Sequence, residues 1–486
     1  MLPEKPPTET TRRDFFGHVA GGFYWSALLS LLGSDLRQSA DLCASEARHV
    51  YDLRPRPPHF DPPAKNVIHL FMNGGPSQMD LFDPKPELDK HHGESYFNEI
   101  AGDVENPQSA GALMRCPFEF KRHGQSGAPV SELMPELAKH VDDIAFIRSM
   151  YTTNITHETA LYKIHTGRMF PGNPTLGAWA VYGLGSENQN LPAYVVLDDP
   201  KRLPINGIEC WQSGFLPPLY QGTRLRSTGS PVLNLKPEEP RPPRVERVKQ
   251  QLLTRLDELH RKTRPLQPEL DARISSYELA ARMQLAASDA LDFSQEDAKT
   301  LERYGVDQKP TDSYARRCII ARRLVERGVR FVQVFMAAQP WDHHGSIASA
   351  LPNTCAQTDK PVAALLEDLK RRGLDKDTLV VWGGEFGRLP LAQLQGKDSK
   401  RSGRDHNKNA FTTWMAGAGI KGGTMHGNTD DFGFAAAENQ VGVQDWHATI
   451  LHLLGLGHED LYFERHGFKE RLTGVFETRV VKEILA

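Results

Sequence analysis

Short apolar runs bounded by glycines and polar turns recur along the chain, each about the length of one buried strand. Asn66-Val67-Ile68-His69-Leu70-Phe71-Met72 is the first, and Asn73-Gly74-Gly75-Pro76-Ser77 turns sharply out of it. Ile144 to Arg148 and Pro192 to Leu197 are the next two. The former leads through a polar stretch, Thr152 to His157, into a helix that stops at Thr166-Gly167. From Tyr314 onward helical and strand patterns alternate. Tyr314 to Arg327 carries an apolar stripe of Cys318, Ile319, Leu324 and Val325, and Val329 to Met336 follows as a strand. Asp359 to Arg372 puts Val362, Leu365, Leu366 and Leu369 on one helical face, with Pro361 in its first turn and Gly373 as its stop. Thr378 to Trp382 and Phe411 to Ala416 are further strands, and Gln444 to Leu454 is a closing helix that Asp445 is placed to cap. A parallel sheet with crossover helices requires this alternation, so the pattern predicts an α/β fold.

The pattern changes in two places. Pro237 to Glu296 is charged with helical periodicity, for example Leu279, Met283, Leu285 and Leu291, and reads as a helical insertion (237–296) within one domain spanning 66–486. Ahead of a linker (41–65) whose part from Arg54 to Pro63 is proline-rich, residues 1–40 read as an address. Thr11-Arg12-Arg13-Asp14-Phe15-Phe16 precedes a moderately apolar run from Val19 to Leu32, which resembles a twin-arginine export signal. The expected location is therefore periplasmic or secreted. Over 486 residues the formal charge is −3, so no basic field points to nucleic acid, and no apolar run is long enough to span a membrane in the mature chain. Five cysteines without CxxC spacing (Cys43, Cys116, Cys210, Cys318, Cys355) read as buried thiols rather than a zinc knuckle or disulfide framework.

Chelating residue types cluster beside the predicted strands. Trp341-Asp342-His343-His344-Gly345 follows Val329 to Met336, Gly384-Glu385-Phe386-Gly387-Arg388 follows Trp382, and Gly403-Arg404-Asp405-His406 stands just before Phe411. In an open α/β sheet, loops beyond the carboxyl ends of the strands converge on one crevice. Carboxylates and imidazoles meeting there suit zinc, manganese or iron, and a carboxylate-rich part also suits calcium or magnesium. Arg388 and Arg404 are placed to clamp an anionic group by bidentate hydrogen bonds, with His165 and Arg168 as weaker candidates of the same kind.

These motifs, with Asn73-Gly74-Gly75-Pro76-Ser77 and Asp80-Leu81-Phe82-Asp83-Pro84-Lys85-Pro86 before them and Trp414-Met415-Ala416-Gly417 after, resemble the bacterial domain of unknown function 1501. That domain lies within the alkaline-phosphatase-like superfamily, which also holds the sulfatases. The resemblance runs from about Asn66 to the C-terminus. It implies a mostly parallel sheet sandwiched by helices and a site for divalent cations acting on phosphate or sulfate esters. By the resemblance, Asp342 and His344 match an Asp and a His on one metal, Glu385 opens the next ligand pair, and His406, beside Asp405, falls at a late His ligand. Asn73 stands where a bridging Asp ends the first strand, and Phe386 stands where a second ligand is common. His157 falls near the place of the usual Ser or Thr nucleophile, with Thr156 one residue earlier. No cysteine has the Pro and Arg spacing of a sulfatase nucleophile.

Two functions follow as expectations. In one, metal-activated water hydrolyses an anionic small-molecule or polysaccharide ester, with His157 and Glu385 as the catalytic candidates. In the other, the chain is a non-catalytic, metal-stabilised binding or scaffold protein of the cell envelope. No protein partner is legible. A serine triad is set aside because the chain lacks a GxSxG elbow.

Overall fold

Nine strands form the central sheet of the computed structural model, which describes residues 51–226, 242–264, 267–395 and 398–486. Residues 1–40, expected to be an export signal, residues 41–50 of the expected linker with Cys43, and residues 237–241 and 265–266 of the expected insertion lie outside the described residues. In chain order the elements that matter here are β1 (Asn66–Phe71), β2 (Ile144–Tyr151), α1 (His157–Thr166), α2 (Leu176–Leu184), β3 (Tyr194–Leu197) and β4 (Thr223–Arg224). They continue with α3 (Pro243–Thr263), α4 (Pro268–Leu291), α5 (Asp312–Glu326), β5 (Phe331–Phe335), α6 (Ile347–Arg372) and β6 (Thr378–Gly383). Last come β7 (Leu391–Gln395), β8 (Phe411–Gly417), β9 (Met425–His426), β10 (Val441–Gly442) and α7 (Val443–Leu453).

The sheet runs β9-β2-β8-β6-β1-β5-β3-β4, with β10 also on β2. All pairings are parallel except those of β8, which is antiparallel to both β2 and β6. β1 lies in the middle, with Val67 opposite Phe331 on one side and Leu379 on the other, and all six of its residues are buried. Burial on both faces explains why these strands read as continuous apolar runs and not as alternation. The fold is therefore α/β with a mostly parallel central sheet and flanking helices, and Asp52–Ala486 makes up one compact unit.

Three details differ from the sequence reading. Residues 52–65 pack onto the unit: Arg56 donates its amide to Leu184 O at 2.9 Å and a guanidinium nitrogen to Tyr182 O at 2.6 Å. The helix expected over Asp359 to Arg372 starts at Ile347 and passes through Pro352 and Pro361. Each proline costs one backbone hydrogen bond, but Leu351, Cys355, Val362, Leu365 and Leu369 form one buried face that carries the helix across both. Cys116 is half-buried, while Cys210, Cys318 and Cys355 are buried thiols. Asp445 behaves as expected, accepting the amide of Gly442 at 3.0 Å at the start of α7.

Candidate metal centre

The sheet delivers its chelating residues to one edge. β2, β5 and β6 are parallel to β1 or linked to it through the antiparallel β8, so their carboxyl ends share a side with the amino end of β8. His157 opens α1 after β2, Asp342 and His344 lie in the loop after β5, and His406 lies just ahead of β8. Single nitrogen or oxygen atoms of His157, Asp342, His344 and His406 lie within 4.8 Å of one another.

The four side chains share one orientation. The Nε2 atoms of His157, His344 and His406 approach the Asp342 carboxylate at 3.4, 2.9 and 3.3 Å. Behind each ring, Nδ1 faces an acceptor: Glu385 Oε1 at 2.7 Å for His157, Gln393 Oε1 on β7 at 2.5 Å for His344, and both Glu105 Oε2 (2.6 Å) and Ile155 O (2.7 Å) for His406. An Nδ1 that donates outward carries the proton and leaves a lone pair on Nε2. With neutral rings, the inner face would then be three lone pairs against a carboxylate, which only protons or a cation can reconcile. His157 Nε2 is buried and makes no hydrogen bond. The donor set, three imidazoles and one carboxylate with outer acceptors in place, fits a divalent transition metal such as zinc.

Electrostatics point the same way. Burial disfavours the charged form of His157, yet the carboxylates of Asp342 and Glu385 beside it outweigh burial and push the imidazole up to about 9. Burial likewise opposes the charge of His344, and Asp342 raises it. Burial works against the Asp342 carboxylate too, but the three imidazoles and Arg388 hold it well below the usual carboxylate range. The raised His157 and His344 and the Arg388 guanidinium bring to Asp342 the kind of positive charge that a cation would supply.

The family model described as "Protein of unknown function (DUF1501)" matches residues 64–485. The chain belongs to the DUF1501 family. No curated protein matches this DUF1501 chain. Among solved structures it is similar to the lipoteichoic acid synthase LtaP from Listeria monocytogenes, with 11% identity over 87% of this chain and 78% of that one and a TM-score of 0.35. It is also similar to the PsFucS1 sulfatase from Pseudoalteromonas sp. (13% identity, 81% and 68% covered, TM-score 0.33). A third is the alkaline phosphatase from the Antarctic bacterium TAB5 (11% identity, 83% and 100% covered, TM-score 0.31). A phosphonate monoester hydrolase is among these neighbours as well.

Several expected site residues of the DUF1501 chain have other tasks. Asn73 is no ligand in this geometry: its amide is spent on the backbone of the loop after β5, donating to Met336 O at 3.2 Å and to Ala338 O, and accepting from Met336 N. Glu385 lies outside the cluster, fully buried, and accepts from Gly74 N as well as His157. Gly74 has φ +114°, and a Cβ there would sit 2.6 Å from Asp342 N, so only glycine lets β1's exit reach both Glu385 and the Asp342 loop. Asp405 accepts from its neighbour His406 N and from Asn106 N, and forms a second chelating group with Glu105 and His406.

The two arginines are not substrate clamps. Arg388 is buried and holds Gly75 O, Arg404 O and Asp342 Oδ1 (2.7 Å), so it fixes the Asp342 carboxylate in place. Arg404 is fully buried in a bidentate pair with Asp80, at 2.7 and 3.1 Å through Nε and Nη2, and it also donates from Nη1 to Pro390 O and from Nη2 to Met114 O. His165 belongs to the core, against Phe71 and Gln333, and Arg168 faces Glu470 and Phe476. Thr156 turns its hydroxyl to Asn154. Phe386 packs its ring on His157 and His406, at 4.8 and 4.5 Å. Sequence reasoning missed Glu105, Gln393 and the role of Asp80. Only Asp80 lay in a quoted motif.

Proposed function

We propose that this chain is an exported, metal-dependent hydrolase of phosphate or sulfate esters, anionic small molecules or polysaccharides, in which metal-activated water attacks the ester. The observation that carries this reading is the inner face of acceptors, three Nε2 atoms turned on Asp342, of which His157 Nε2 is buried without a hydrogen bond. His157, Asp342, His344 and His406 would hold the ion, and three nitrogen donors favour zinc, manganese or iron over calcium or magnesium. An ion of this kind supplies Lewis acidity and brings the pKa of a coordinated water toward about 7. Glu385 keeps the proton on His157 Nδ1 and fixes its tautomer. Arg388 keeps Asp342 facing inward. The side chains of Asp342 and His344 are 20% and 29% exposed, which leaves that rim open to water and substrate. Export through the twin-arginine route, to the periplasm or outside, rests on residues 11–16 and the apolar run after them.

One observation favours a second reading. Four protein donors complete a tetrahedron, the closed shell of structural sites, and the four members of the cluster, three imidazoles and a carboxylate, include no hydroxyl or thiol. The chain would then be a metal-stabilised, non-catalytic envelope binding or scaffold protein. Elemental mass spectrometry on the purified chain and on Asp342→Ala and His406→Ala decides, joined to turnover of aryl phosphate and aryl sulfate. Near-stoichiometric metal and ester turnover, lost together in both variants, is the expected result. Metal without turnover selects the second reading, and folded metal-free protein after reconstitution sinks both.

A further inference from the structure

The described apolar side chains of α3 are exposed. Val245, Val248, Leu252, Leu256 and Leu259 are 47%, 57%, 57%, 51% and 53% exposed, and Leu253 beside them is 49% exposed. At 100° per residue the first five fall in an arc of about 80°, one continuous apolar stripe on a rod about 31 Å long. Cations flank it on both sides, and the far side is mixed, with Arg261 between Asp257 and Glu258. Arg244, Arg255 and Lys262 run along one margin of the stripe and Lys249 lies on the other. These four marginal cations are exposed.

We infer that α3 is a docking helix for an anionic phospholipid surface. The stripe fits the headgroup–acyl boundary, where a helix lies in the plane with its apolar face down and flanking Lys and Arg reach up to phosphate. Pairing with a second copy of α3 is the poorer match, because it sets the cationic margins of two stripes against each other. The chain as a whole carries −3, so its net charge does not draw it to such a surface, and the basic margin of α3 must do so locally. No helix among the described residues is long and apolar enough to cross a membrane, so α3 would lie on the surface and not span it.

The test uses the full chain with vesicles of phosphatidylcholine alone or mixed with phosphatidylglycerol. A Leu256→Trp variant places the readout on the helix, so that lipid contact elsewhere is not counted. Its added fluorescence should be quenched by brominated acyl chains in the mixed vesicles only, and lost in high salt. Leu252→Ser and the pair Arg255→Glu with Lys262→Glu should each weaken vesicle binding about tenfold or more, with unchanged melting temperature because these side chains are exposed. Absence of quenching overturns the inference. So does light scattering that shows a dimer dispersed by Leu252→Ser, which would make the stripe a self-association surface.

Discussion

Each imidazole of the cluster is held from behind by a group that accepts a hydrogen bond from its Nδ1, and these outer groups decide what the inner face can bind. Glu385 is the strongest case, because it is fully buried and also accepts Gly74 N. Glu385→Gln keeps the size but removes the charge and leaves an amide nitrogen facing a donor; cation affinity should drop about 10- to 100-fold. A competition titration against a chromophoric chelator measures this, and an unchanged affinity would remove Glu385 from the site. The same carboxylates set a pH dependence. His157 rises to about 9 in the ion-free fold despite its burial, so its folded-state value lies above the ordinary 6.5. That contribution, roughly 3 kcal/mol, is fully present below about pH 6.5 and is lost as pH climbs through about 9. A cation needs the same nitrogen without its proton, so its binding strengthens over that window. Chelator-treated protein should therefore melt progressively lower from about pH 6.5 to pH 9.5, while added zinc should stabilise most at the alkaline end. A flat melting temperature in the ion-free chain would contradict the assigned contacts.

Between elements, the site depends on where strands stop. β8 runs against its neighbours, so His406, ahead of its first residue, arrives where β5 and β6 have just ended. The loop before β8 is anchored by the Arg404–Asp80 pair, both side chains fully buried. Asp80→Ala leaves the guanidinium charge without a counter-ion and should cost about 3–5 kcal/mol, read as a lower urea midpoint; adding Arg404→Met should recover much of it. If the double variant is no more stable than the single, the pair is not what holds the loop. The strands were legible because burial on both faces writes itself as unbroken apolar sequence, and Asp342, His344 and His406 were legible as chelating types beside strand ends. Glu105 and Gln393 were not, because they come from segments with no periodic pattern and reach the site only through tertiary packing. Arg388 and Arg404 were misread for a related reason. An arginine in a glycine-rich loop has the same sequence signature whether it points into the cleft or into the protein, and here the carbonyls of neighbouring loops capture both. Pro361 was read as marking a helix start because the sequence does not reveal the buried face that carries α6 through it.

At the scale of the molecule, the cluster is where segments far apart in sequence are tied together. His157, Asp342, His344 and His406 come from three separate stretches of chain, and Glu105 and Gln393 add two more. A cation present at 1,000 times its dissociation constant adds about 4 kcal/mol to the folded state. In a unit this large, such a gain moves the melting temperature by only a few degrees at most. The sharper observable is local. α5 and α6 have their own buried network, Arg322 on Glu296 and Asp368 at 2.7 and 3.1 Å, which does not involve the cluster. Removing the cation should therefore speed amide hydrogen exchange in residues 152–157, 336–346 and 403–410, and leave α5 and α6 protected. Asp342→Ala should exchange like the metal-free chain whether or not metal is added, because it lacks the carboxylate on which all three imidazoles converge. Exchange that rises equally in α5 and α6 would mean that the ion supports the whole unit and not one edge of the sheet. Exchange that is unchanged everywhere would mean that the edge is organised by its hydrogen bonds alone.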